Sequence, residues 1–190
     1  MGHLFIAVVP EGLSDNQELK QLLSKFKRTM KDQDKEVRWV RPELWHITVQ
    51  FLGDLTPGLE KAAESFFANW EIPSSFRNLT LRLQGVGAFS STEDARILWI
   101  GVQKGQPLLD SQSQLSEALA AAELPTDHRP YHPHLTLARF RNPMNASELV
   151  GLGGRKHFGD YKVQELILFE SVLQGNMVKY IPRARRALSL

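Results

Sequence analysis

Two short segments of this chain repeat one design: Leu44-Trp45-His46-Ile47-Thr48-Val49-Gln50-Phe51 and Tyr131-His132-Pro133-His134-Leu135-Thr136-Leu137-Ala138-Arg139. Each reads as a strand with a histidine and a threonine two positions apart. In extended chain, residues i and i+2 share a face. His46 and Thr48 therefore stand on one face with Ile47 and Val49 behind them, and His134 and Thr136 stand in front of Leu135 and Leu137. Both strands need a core at the back and an open, polar front.

The surrounding pattern is one of short strands with interspersed helices. Leu4 to Val9 is a six-residue apolar strand closed by Pro10-Glu11-Gly12. Ser14 is a candidate N-cap for a helix to about Met30, in which Leu19, Leu22, Leu23 and Phe26 recur at helical spacing. Val37 to Val40 is a short strand ahead of the first His-x-Thr segment. Thr56 and Pro57 open a second helix that runs to about Trp70. Strands are expected over Phe76 to Phe89 and Arg96 to Val102, and a third helix over Leu108 to Leu124. After the second His-x-Thr segment come a short helix, Ala146 to Leu152, and two strands, Val163 to Leu173 and Val178 to about Arg185. A turn at Gln174-Gly175-Asn176 joins those strands. Each half of the chain thus holds a His-x-Thr strand, a helix and a strand pair. That order predicts an α+β fold with antiparallel sheets and a duplicated architecture, not a doubly wound parallel one.

Bulk properties narrow the functional classes. The 190 residues, 42% of them apolar and 23% charged, suit one domain, or two closely packed lobes, spanning 1–190. A net charge of +2 argues against wrapping long nucleic acid, though it leaves room for a local basic cleft. Without cysteine there is no disulfide, thiol nucleophile or cysteine-ligated metal. The apolar run at Leu4 is too short for a signal-peptide core or a membrane span. A soluble, cytoplasmic monomer with no membrane association is expected.

A single His-x-Thr on a strand is more often structural than functional. Two copies in matching contexts, drawn from only six histidines, are harder to dismiss. The chemistry that fits is paired general acid–base catalysis. An imidazole with an ordinary pKa of roughly 6.5 can be neutral in one copy and protonated in the other. One takes a proton from the attacking water or hydroxyl while the other donates to the leaving oxygen. Either histidine can serve as base, because the two strands are chemically alike. The threonine hydroxyls can donate to a non-bridging phosphoryl oxygen without adding charge. Such a scheme needs no metal and no cofactor.

The segments Leu44 to Gly53 and Pro130 to Arg139 resemble the signature motifs of the 2H phosphoesterases. Among these the chain is most similar to the bacterial and archaeal RNA 2',3'-cyclic phosphodiesterases, also called 2'-5' RNA ligases. The likeness extends to Leu4-Phe5-Ile6-Ala7-Val8, Val37 to Val40, Leu98 to Gly101 and Leu166 to Ser171. The resemblance implies a bilobal fold, with two antiparallel sheets lining a central cleft and helices outside. It implies metal-independent hydrolysis of 2',3'-cyclic phosphate RNA ends to 2'-phosphate, with reversible 2'-5' ligation of tRNA halves as a further activity. His46 and His134 would be the acid–base pair, with Thr48 and Thr136 on the phosphate. Arg139 would contact the phosphate and Phe51 would stack on the base, each five residues after its histidine. Five is an odd offset, so an ideal pleat would turn both away from the histidine face; a bulge or a strand end must re-aim them. Tyr131 is a further candidate for the nucleotide pocket.

Competing readings remain open at this point. Small cyclic nucleotides or 2'-5' oligoadenylates could be the substrates, or the chain could bind RNA ends without turning them over. His132 and His134 form a His-x-His that could hold a metal, but Pro133 and the lack of a nearby acidic cluster weaken that reading. Lys179, Arg183, Arg185 and Arg186 could form an RNA-contacting strip or a charged, protected strand edge.

Overall fold

The first strand, β1 (His3–Pro10), is buried on both faces, as its unbroken apolar run demands. Leu4, Ile6 and Val8 enter the main core. Phe5, Ala7 and Val9 enter a second, smaller apolar cluster with Ile167, Phe169 and Tyr180. This computed structural model describes residues 2–77, 79–103, 105–127, 129–174 and 177–188. The turn expected at Gln174-Gly175-Asn176 falls mainly outside them. The other strands are β2 (Val37–Trp39), β3 (Ile47–Asp54), β4 (Thr80–Ser90), β5 (Ala95–Gln103), β6 (His134–Met144), β7 (His157–Gln174) and β8 (Met177–Ala187).

Every pairing is antiparallel, in the order β1-β3-β6-β5-β4-β7-β8, with β2 on β6 and β1 also on β7. The arrangement has two halves. One holds β3, β1, the second part of β7, and β8. The other holds β2, β6, β5, β4 and the start of β7. The two sheets expected from the sequence are thus hydrogen-bonded into one. β7 is 18 residues long, pairing with β4 over His157–Lys162 and with β1 beyond it. Its first part is missed by apolar patterning because Phe158-Gly159-Asp160-Tyr161 alternates poorly. At the other junction β3 and β6 meet through one bridge, Ile47 opposite Leu135.

Four helices cover the back: α1 (Gln17–Thr29), α2 (Pro57–Asn69), α3 (Gln106–Ala121) and α4 (Ser147–Gly153). Leu19, Leu23 and Phe26 of α1, Ala63 and Phe67 of α2, and Leu108, Leu115 and Leu119 of α3 share one core with Ile47, Val49, Leu135 and Leu137. The apolar backs of both His-x-Thr strands are therefore packed against helices. Thr56 caps α2 as expected, its hydroxyl accepting from the Leu59 amide. The cap of α1 is Asn16, not Ser14: Leu13–Asp15 forms a 3₁₀ turn, and the Asn16 Oδ1 accepts from the Leu19 amide at 2.8 Å. Among the described residues no helix is long and apolar enough to cross a membrane.

Candidate active site

His46 follows a 3₁₀ turn (Pro42–Leu44) and immediately precedes β3, while His134 is the first residue of β6. The two imidazoles make the same local contact. His46 Nδ1 lies 2.8 Å from the carbonyl of Leu44, and His134 Nδ1 lies 2.6 Å from the carbonyl of His132, two residues back in each case. A carbonyl only accepts, so Nδ1 carries the hydrogen and Nε2 is left to gain and lose a proton. Both rings thus enter chemistry in the same tautomer.

The Ile47–Leu135 bridge sets the relation between them. In antiparallel register it places His46 opposite Thr136 and Thr48 opposite His134. Past the threonines, both strands bulge. Ala7 pairs with Thr48 and Ile6 with Gln50, leaving Val49 as the extra residue; Trp99 pairs with Thr136 and Leu98 with Ala138, leaving Leu137. The pleat parity flips at each bulge. Phe51 then pairs with Phe5, and Arg139 with Ile97. Phe5 and Ala7 share a face, so Phe51 and Thr48 share it too. Ile97 and Trp99 put Arg139 and Thr136 together by the same logic. From His46 to Leu52 and from His134 to Phe140 the alternation of buried and accessible residues is identical, with Phe51 and Arg139 the exposed positions.

Aromatic rings wall both histidines. His46 packs against Phe5 at 5.1 Å between centroids and edge-on to Tyr180 at 4.9 Å. His134 is edge-on to Phe89 at 5.0 Å, with Trp99 at 6.4 Å. Loss of water pushes the His46 pKa down from 6.5 to about 4, aided by the positive charge of Arg139 and by His134. Burial also lowers that of His134, again with Arg139 contributing. Both shifts favour the neutral imidazole at neutral pH.

Six of the seven residues singled out in the sequence, Thr48, Phe51, Tyr131, His134, Thr136 and Arg139, line one groove of about 530 Å³. His46 borders a second groove of about 550 Å³, shared with Tyr180 and Phe169. The positive charge of Arg139, in the first groove, is felt by His46 in the second. Tyr131 does more than line a wall: its hydroxyl donates to the carbonyl of Thr48 at 2.8 Å, joining the two motifs. Phe5, Tyr180, Phe169 and Phe89 went unmarked in the sequence reading. The unbroken apolar run of β1 does not distinguish Phe5, on the site side, from its neighbours in the main core.

The remaining candidates settle into other roles. His132 is exposed, and among the described residues no group of three or more potential metal ligands forms around it. Arg183 is engaged by Glu60, Glu64 and Glu170, and Arg185 by Glu165. Arg186 donates to the carbonyls of Phe67, Ala68 and Trp70 at the end of α2. These arginines fasten β8 to its neighbours and do not form a free cationic strip.

The duplicated geometry has counterparts among known proteins. The RNA 2',3'-cyclic phosphodiesterase of Methanothermobacter thermautotrophicus is 29% identical over 89% of this chain and 89% of its own length. The protein of the same name from Archaeoglobus fulgidus is 31% identical over 72% of this chain and 76% of its own. A crystal structure described as a phosphoesterase superposes with a TM-score of 0.70 at 26% identity, covering 99% of this chain and 98% of that one. The sequence profile described as "LigT like Phosphoesterase" matches residues 14–99 and again 100–180, one His-x-Thr strand in each match. With two matched halves that coincide with its two histidine strands, the chain belongs to the LigT-like phosphoesterase family.

Proposed function

We propose that the protein is an enzyme that hydrolyses 2',3'-cyclic phosphate ends of RNA to 2'-phosphates, the whole chain acting as one two-lobed unit in the cytoplasm. The observation that carries this reading is the pair of imidazoles, each locked through Nδ1 to a backbone carbonyl and each next to the Ile47–Leu135 bridge that joins the two motifs. In the reaction the substrate's phosphate anion favours a proton on Nε2 of one imidazole while the other ring stays neutral, and the neutral Nε2 takes a proton as water oxygen bonds to phosphorus. The P–O3' bond breaks and the other imidazole protonates the departing 3'-oxygen. Thr48, Thr136 and Arg139 hold the non-bridging oxygens, where charge accumulates, and Phe51 offers an exposed ring to the base. RNA follows from the chemistry, because a 2',3'-cyclic phosphate requires the 2'-hydroxyl. The activity of the named relatives agrees with this reading.

The groove beside His46 favours one extension. It gives room for a second nucleoside, whose 5'-hydroxyl could replace water and form a 2'-5' linkage. The test is incubation with a nucleoside 2',3'-cyclic phosphate in excess chelator, with products resolved chromatographically. Accumulation of the 2'-monophosphate is the expected result. Formation of the 3'-isomer, or turnover only after metal is restored, would overturn the mechanism.

A further inference from the structure

The groove that begins at the threonines holds a device the acid–base chemistry does not use. Gln50, the residue just past the β3 bulge, is only 2% exposed. Its Nε2 donates to the carbonyl of Phe51 at 3.3 Å, and its Oε1 accepts from Nε2 of Gln112, on α3, at 3.0 Å. Both glutamines line the groove with Phe51 and Tyr131. The chain of contacts has a polarity. A backbone carbonyl can only accept, so the Gln50 amide must turn its Nε2 that way. Gln50 Oε1 is then the acceptor, which turns Nε2 of Gln112 toward it. Gln112 Oε1 is left over. Among the described residues it has no hydrogen-bond partner, and it is not a buried orphan, so it is open to an incoming group. Asp127 and Arg129, the charged pair on the same groove, are bonded to each other.

A free glutamine can read donor or acceptor because its amide turns over. This one is held in one sense by its hydrogen bond to Gln50, whose own amide is fixed by the Phe51 carbonyl. We propose that Gln112, oriented through Gln50 by the Phe51 carbonyl, selects RNA ends whose terminal base is adenine or cytosine over guanine or uracil. The inference rests on the cyclic phosphodiesterase reading above. With the ribose held at the phosphate, the base edge farthest from the sugar carries the purine 6- or pyrimidine 4-substituent. Adenine and cytosine place an amine there, which donates to Oε1; guanine and uracil place a carbonyl, which sets two acceptors against each other.

The experiment is kcat/KM for the four nucleoside 2',3'-cyclic monophosphates. The adenine and cytosine substrates should exceed the guanine and uracil ones by about 2- to 10-fold, the span of one neutral hydrogen bond. Gln112→Ala should collapse that ratio. Gln50→Leu should also collapse it, because Gln112 is then free to turn over. A ratio taken within one preparation does not depend on the fraction folded. Equal rates for all four substrates, or a ratio that survives Gln112→Ala, would overturn the proposal. Calorimetric binding of the four nucleoside 2'-monophosphates reads the same preference without turnover. Hydrolysis of none of the four together with amine-over-carbonyl binding would defeat the function reading and keep the base selection. No hydrolysis and no binding preference would defeat both.

Discussion

Ile47 and Leu135 face each other across the one bridge that joins β3 to β6, and each is completely buried. That bridge is the local centre of the duplicated site. One residue to either side, its register sets a histidine position of one motif against the threonine position of the other. The two motifs supply equivalent groups through the third position past each histidine, differ at the fourth in Gln50 against Ala138, and differ again at the fifth. At that fifth position stand a ring at Phe51 and a cation at Arg139. Two equivalent halves thereby gain different ends, one suited to a base and one to a phosphate.

Removing either imidazole should cost what a general acid or base contributes. His46→Ala and His134→Ala are each expected to lower kcat for a 2',3'-cyclic nucleotide by about 10²–10⁴-fold with the circular dichroism spectrum unchanged. The double variant should fall little below the worse single one, because the two act in one step. Near wild-type turnover in either single variant would rule out the paired mechanism.

Arg139 bears on both histidines, so its loss has a spectroscopic signature apart from rate. Its positive charge lowers both imidazole pKa values. Arg139→Ala should therefore raise both in an NMR titration of the ring protons, and should lower kcat/KM by about 10- to 100-fold through the lost charged hydrogen bond to phosphate. Histidine titrations identical to wild type would mean that the Arg139 charge does not act on the rings.

The depressed His46 pKa makes stability depend on pH in a stated direction. In the unfolded chain this imidazole takes a proton near 6.5; in the folded protein it does not do so until about 4. Between those values the unfolded state binds more protons, so stability should rise as pH climbs from about 4 to 6.5 and level off above. Urea midpoints of the wild type and His46→Gln across that range check it, the variant giving the shallower slope. Sulfate, a dianion that does not titrate here, should reverse the depression by pairing with the rings. Its binding near pH 6 should take up protons, as read by calorimetry in buffers of different ionisation enthalpy.

Tyr131 joins the motifs by a contact that can be deleted one atom at a time. Tyr131→Phe removes the donor to the Thr48 carbonyl and should cost about 0.5–1.5 kcal/mol in stability, seen in urea unfolding. The same variant should lower kcat more than it changes KM, because the hydrogen bond holds one threonine strand against the other's lead-in. An unchanged kcat would confine Tyr131 to packing.

The period-two pattern of the His-x-Thr strands, their apolar backs and their recurrence were written in the residues, because side-chain alternation in a strand is a local consequence of backbone geometry. The helices were legible for the same reason, down to the Thr56 cap. The placing of the four histidine and threonine residues at the head of two matching strands needed nothing more. Tertiary structure alone decided how those strands meet. The odd offset of Phe51 and Arg139 demanded a bulge, but only pairing with β1 and β5 placed the extra residues at Val49 and Leu137. The cap at Asn16, the crossing of β7 between both halves, and the Phe5 and Tyr180 wall of His46 likewise arise from contacts between distant segments. No local preference of the chain encodes them, because each depends on which strand or helix lies next door.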